Sequence, residues 1–87
     1  MGSYKIEWKK SAISELRALP RETVSRILKA VGELSTNPYP SGVKKLSGSE
    51  HTYRIRLSSY RVVYTVTKAT SVVEIGRIGH RKDVYDQ

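Results

Sequence analysis

The hydrophobic period of this chain switches from helical to strand-like at Asn37-Pro38-Tyr39-Pro40-Ser41-Gly42, and that change limits the fold more than any other feature. Two prolines and a glycine so close together end a helix and begin a loop. Before the break, Val24, Ile27, Leu28, Val31 and Leu34 follow the i, i+3, i+4, i+7 spacing of an amphipathic helix, with Arg21, Arg26 and Lys29 on its other side. Ala12, Ile13, Leu16 and Leu19 predict an earlier helix with Ser11 as its N-cap, and Pro20 separates the two. After the break, apolar residues alternate as they do in half-buried strands. His51 to Leu57 sets Tyr53, Ile55 and Leu57 on one face, and Tyr60 to Thr67 continues that face with Tyr60, Val62, Tyr64 and Val66. Ser71 to Gly79 is a third run, joined by a turn at Lys68-Ala69-Thr70.

Tyr4-Lys5-Ile6-Glu7-Trp8 also alternates, so a strand precedes the helices. Val43 to Leu46 reads as a short extended piece. The expected architecture is a strand, a two-helix hairpin and an antiparallel meander packed on the helices, which is the α+β class. A chain of 87 residues has room for one such domain, spanning 1–87. The apolar stripe of the helices needs a partner, and the Tyr53/Ile55/Leu57 and Tyr60/Val62/Tyr64 face supplies it. By subtraction, Arg54, Arg56 and Arg61 project from the uncovered face. A two-residue turn at Ser58-Ser59 sets Arg56 opposite Arg61, whereas an odd loop count moves Arg61 to the other face. Like charges directly opposite one another destabilise a sheet, so the cluster is easier to understand if a polyanion lies on it.

The overall charge agrees with that reading. Sixteen Lys and Arg against 8 Asp and Glu give +8, which favours nucleic acid or an acidic protein as partner. The chain has no cysteine, so thiolate ligands and nucleophiles are unavailable. His51 and His80 stand too far apart in sequence to suggest a zinc site. No GxGxxG or Walker sequence occurs, and no cofactor is indicated. No Ser-His-Asp constellation can be assembled, and no apolar run approaches a membrane span.

Candidates for chemistry remain. The planar guanidinium groups of Arg54, Arg56 and Arg61 match phosphate and stabilise charge developing on it, although arginine is a poor base. The alternative is a face charged only to remain soluble. His80 has the side chain suited to proton transfer at neutral pH, and Tyr85 suits stacking on an RNA base. The bland readings are an inert surface histidine and ordinary C-terminal packing. His51 reads as incidental.

Several stretches, in order, resemble the RelE/ParE superfamily of bacterial and archaeal toxin–antitoxin toxins. They are the opening strand ending in Trp8, Leu19-Pro20 between the helices, Lys44-Lys45-Leu46-Ser47-Gly48, then YRIRLSSYRVVY and GHRKDVY. The resemblance implies a cytoplasmic toxin of RelE-like α+β fold, neutralised by a cognate antitoxin and reaching operator DNA only in complex with it. RelE-like members are ribosome-dependent endoribonucleases that cleave mRNA in the A site without a metal. The RNA 2′-OH attacks the adjacent phosphate and leaves a cyclic phosphate and a free 5′-OH. By the same resemblance Arg61 stabilises the transition state. Arg81 stabilises phosphate or protonates the leaving group, and Tyr85 orients the substrate. Lys44, Lys45, Arg54 and Arg56 are the expected RNA-binding residues, with contacts to mRNA and ribosomal RNA. The chain departs from the best-studied RelE type, which has lysines where Arg54 and Arg56 stand, one of them a candidate base. Other members use a histidine near the C-terminus, which makes His80 the expected acid or base. The alternatives are a ParE-like inhibitor of DNA gyrase and a non-catalytic basic module that only binds its antitoxin.

Overall fold

The computed structural model describes residues 3–80. Strand β1 (Lys5–Trp8) leads into helices α1 (Lys10–Arg17) and α2 (Arg21–Leu34). Strands β2 (Lys44–Lys45), β3 (Thr52–Leu57), β4 (Tyr60–Thr67) and β5 (Val72–His80) follow. The α+β class is as expected, but the sheet is wider than a three-stranded meander. It has five strands in the order β1-β5-β4-β3-β2. β1 lies parallel to β5, with Ile6 beside Val73 and Trp8 beside Ile75. That pairing leaves β5 with a neighbour on each side over Val72 to Ile75, which suits its Val- and Ile-rich run.

Helix α1 begins at Lys10 with Lys9 in the capping position, and Ser11 is not its N-cap. The reason lies in the strand before it. Lys9 N–H still donates to Ile75 O at 3.0 Å, so the ladder holds the chain extended through residue 9 and the helix starts at once. Pro20 precedes α2, where its missing N–H costs nothing.

Ala12 and Leu16 of α1 and Ile27, Val31 and Leu34 of α2 are buried against one face of the sheet. That face presents Ile55, Val62, Tyr64, Val66, Val73, Ile75 and Ile78. Ile75 and Ile78 are three residues apart, yet both point inward. Alternation alone forbids this, and a bulge resolves it. Val63 pairs with Arg77 while Tyr64 pairs with Ile75, so Gly76 is the extra residue. A Cβ at Gly76 would meet Val63 O at 3.7 Å, an ordinary van der Waals contact, so the bulge does not exclude a side chain there.

The breaker loop is pinned to this core by aromatic residues. Buried Tyr64 donates its hydroxyl to Pro38 O at 2.7 Å. Tyr53 stacks on Tyr64 at 6.1 Å, and Tyr39 meets Tyr53 edge-on at 5.1 Å. Burial, followed by the neighbouring phenols Tyr39 and Tyr53, raises the Tyr64 pKa well above its ordinary value. Tyr64→Phe deletes the donor and strands the Pro38 carbonyl, so it should cost about 1–2 kcal/mol in denaturant unfolding near neutral pH. Because the folded state holds the phenolic proton more tightly, this part of the stability is complete below about pH 10 and lost as pH rises further. The gap between wild type and Tyr64→Phe should therefore narrow above about pH 10, and a constant gap would contradict the assignment.

Candidate active site

The β3–β4 hairpin decides which residues share a face. Leu57 pairs with Tyr60 across Ser58-Ser59, and Arg56 pairs with Arg61. Ser58 carries φ of 58°, the positive value that the first central residue of a tight hairpin turn requires. Serine supplies it in place of the usual glycine. With Ile55, Val62 and Tyr64 in the core, alternation sends Arg54, Arg56 and Arg61 to the face away from the helices.

Two rows of positive charge cross that face. Lys44, Arg54 and Val63 align across β2, β3 and β4, and Arg56, Arg61 and Gly79 align across β3, β4 and β5. Gly79 puts no side chain beside Arg61. The next row carries Thr52, Thr65, Glu74 and Glu7, so the acidic residues of β1 and β5 lie away from Arg56 and Arg61. Arg56 borders a cavity of only about 150 Å³, shared with Ala30, Glu33, Pro40 and Ser41, and the extended rows suit a polymer better than a small molecule. A cavity of about 410 Å³ lined by Tyr39, His51, Tyr53 and Lys68 lies at the far end of β3 and β4 and includes none of these arginines.

Exposure divides the arginines. Arg56 is exposed and Arg61 half-buried, but Arg54 is 2% exposed. The expectation that Arg54 projects into solvent therefore needs correction. β2 runs beside β3, so Arg54 has strand neighbours on both sides, Lys44 and Val63. Its charge contributes to the field of the face from below the surface. The Nε atoms of Arg54 and Arg61 are both shielded from solvent, which restricts how these two side chains can turn.

The same alternation separates residues that sequence reasoning had grouped. Lys44 and Lys45 are both exposed, but Lys45 pairs with Tyr53 and so belongs to the helix-side face. β5 runs through His80, one residue further than expected, and His80 pairs with Tyr60. Their rings meet edge-on at 5.7 Å, on the side of the sheet that the helices cover. The structure thus brings Arg54, Arg56, Arg61 and Lys44 together and places His80 across the sheet from them. Arg81 and Tyr85 lie outside the described residues. Among the described residues no group of three or more His, Asp or Glu is arranged to hold a metal ion, and no helix is long and apolar enough to cross a membrane.

Sequence reasoning missed two charged residues near the site, Arg77, which pairs with Val63 at the end of the Lys44–Arg54 row, and Glu15. Glu15 on α1 accepts the Ile78 N–H at 2.7 Å, and its other oxygen lies 3.6 Å from Arg77 Nε. No local motif reports a contact between residues so far apart in the chain.

The ParE toxin family of type II toxin–antitoxin systems matches residues 6–85. The chain belongs to that family. Its relatives place it among RelE-like toxins. Toxin RelE3 of Methanocaldococcus jannaschii is 30% identical over 86 residues, covering 94% of this chain and 96% of that protein. Toxin RelG of Mycobacterium tuberculosis is 28% identical over 83 residues, covering 94% and 95%. In the solved archaeal RelE–RelB complex from Pyrococcus horikoshii, the matching chain is 30% identical with a TM-score of 0.83, covering 94% of this chain and 99% of that one.

In this RelE-like toxin Arg56 and Arg61 face each other across the β3–β4 pair, and like charges so placed disfavour pairing. Arg56→Thr should therefore raise the stability of the isolated toxin by on the order of a few tenths of a kcal/mol. The gain should shrink in high salt, where screening relieves the repulsion in the wild type. Denaturant midpoints at low and high salt check this, and a loss of stability in Arg56→Thr would contradict it.

Proposed function

We propose that this toxin is a ribosome-dependent endoribonuclease acting on mRNA. The observation that carries the reading is Arg61 on the open face, with Arg56 opposite it, Gly79 beside it and Lys44 and Arg54 in the adjacent row. In the reaction the 2′-oxygen forms a bond to phosphorus and the bond from phosphorus to the 5′-oxygen breaks. One proton leaves the 2′-OH and one reaches the departing 5′-oxygen. The products are a 2′,3′-cyclic phosphate and a 5′-OH.

The pentacoordinate transition state carries more negative charge on its non-bridging oxygens than the diester does. A guanidinium aimed at those oxygens stabilises it selectively. Arg61 fills that role, held by its flanking strands and partly shielded from water. Arg56 and Lys44 attract the phosphates on either side of the scissile bond, while buried Arg54 adds fixed charge. Arg81 assists the same phosphate and Tyr85 stacks on a neighbouring base, as the family pattern implies. His80 shares the helix-side face with Tyr60, so this reading gives it no part in proton transfer.

The solved relatives from Pyrococcus horikoshii and Escherichia coli were captured with their RelB antitoxins. By extension, a cognate antitoxin binds this chain in the cytoplasm, and the pair reaches operator DNA through the antitoxin. An acidic segment would suit a domain carrying +8.

Primer extension on a translated mRNA, with and without ribosomes, tests the reading. Cuts should appear only with ribosomes. Arg61→Ala should lower the cleavage rate by about a hundredfold, near 3 kcal/mol of barrier. His80→Ala should stay within about threefold of wild type, because acid–base participation would be worth far more. A large loss in His80→Ala would overturn the separation of the two faces. The ParE description of the matching family supports a second reading, inhibition of DNA gyrase. Intact mRNA together with trapped gyrase–DNA complexes would favour it.

A further inference from the structure

We propose that Glu15 is a positioning residue that anchors the end of β5 and thereby fixes the backbone opposite Arg61; its link to cleavage rests on the nuclease reading above. β1 accompanies β5 only from Val72 to Ile75, and the last backbone bond between the two segments is Lys9 N–H to Ile75 O. β5 then continues to His80 with no strand on that side among the described residues. The Gly76 bulge interrupts the ladder at the same place, so this is the part of β5 with least support from its own sheet.

Glu15 replaces the missing strand. Its Oε1 accepts the outward Ile78 N–H at 2.7 Å, the short distance of a charge-assisted bond. The neighbouring side chains Ala12 and Leu16 are buried, so the helix that carries Glu15 is held by the core. Ile78 is 2% exposed and pairs with Val62, and the next residue, Gly79, pairs with Arg61. The anchored amide therefore lies one residue from the backbone that borders Arg61, and three residues before Arg81.

The ion pair with Arg77 is the lesser part of this contact. The side chains of Arg77 and Glu15 are 54% and 33% exposed, and exposed ion pairs contribute little. Neutral glutamine keeps an oxygen able to accept the Ile78 N–H but loses the charge. Alanine loses both. The two substitutions therefore separate anchoring from charge pairing.

Amide hydrogen exchange by NMR on the full chain tests this directly, alongside ribosome-dependent cleavage under saturating ribosomes. In Glu15→Ala the Ile78 amide should exchange at least about tenfold faster while Val62 and Tyr64 stay protected, because only the end of β5 is released. Glu15→Gln and Arg77→Ala should remain within about threefold of wild type at Ile78. Maximal cleavage should fall in Glu15→Ala and largely persist in Glu15→Gln. Unchanged Ile78 protection in Glu15→Ala would overturn the proposal. So would equal loss of protection in Glu15→Gln, or full cleavage by an Ala variant whose Ile78 amide is released. If the wild type leaves ribosomal mRNA intact, the nuclease reading fails by itself, and the exchange rates still decide whether Glu15 anchors β5.

Discussion

Each residue of β3 and β4 in this toxin faces either the helices or the open side, and the pairing across the short turn between them fixes which. Ser58 and Ser59 join the strands so that Leu57 meets Tyr60 and Arg56 meets Arg61. Moving that pairing by one residue would turn Val62 and Tyr64 out of the core and send the arginines into it. The fully buried Val62 and Tyr64 therefore enforce the register, and the arginines are held together as its consequence. The repulsion between Arg56 and Arg61 is small beside the apolar burial that fixes it. The core thus supports a charged face that would not assemble by its own interactions.

The strands of the β-hairpin and the helix hairpin were legible because both rest on short-range periodicity. Arg61 falls opposite Arg56 only if the Ser58-Ser59 turn has two residues, which the sequence left open and the structure supplies. Simple alternation from Val73 and Ile75 would put His80 on the same face as Arg61, and only the Gly76 bulge reverses this. The expected third strand ended at Gly79, so alternation was not carried to His80. The Gly76 bulge adds an inversion that the spacing of Ile75 and Ile78 signals in retrospect. The parallel pairing of β1 with β5 was harder to read, because it joins segments at opposite ends of the chain. Burial of Arg54 left no signature in the sequence, because alternation puts it on the same face as exposed Arg56.

Two local departures from regular structure lie near the charged face. The positive φ of Ser58 closes the turn beside it, and the Gly76 bulge adjusts the strand that ends opposite Arg61. Glu15 reaches that strand from α1. Together they let a sheet with one apolar face present an open cationic surface whose geometry is set by backbone pairing. Such preorganisation matters for a reaction whose transition state gains charge, because donors already in place need no reorganisation as that charge develops.

The central claim is that substrate phosphate lies on the face bearing Arg61. Electron cryomicroscopy of the toxin on a ribosome carrying 2′-O-methylated mRNA, which cannot supply the attacking hydroxyl, tests it most directly. The scissile phosphate should lie within hydrogen-bonding distance of the Arg61 guanidinium, with Arg56 and Lys44 facing the adjoining backbone. An mRNA strand on the helix-side face, with its phosphate beside His80 and Tyr60, would contradict the claim.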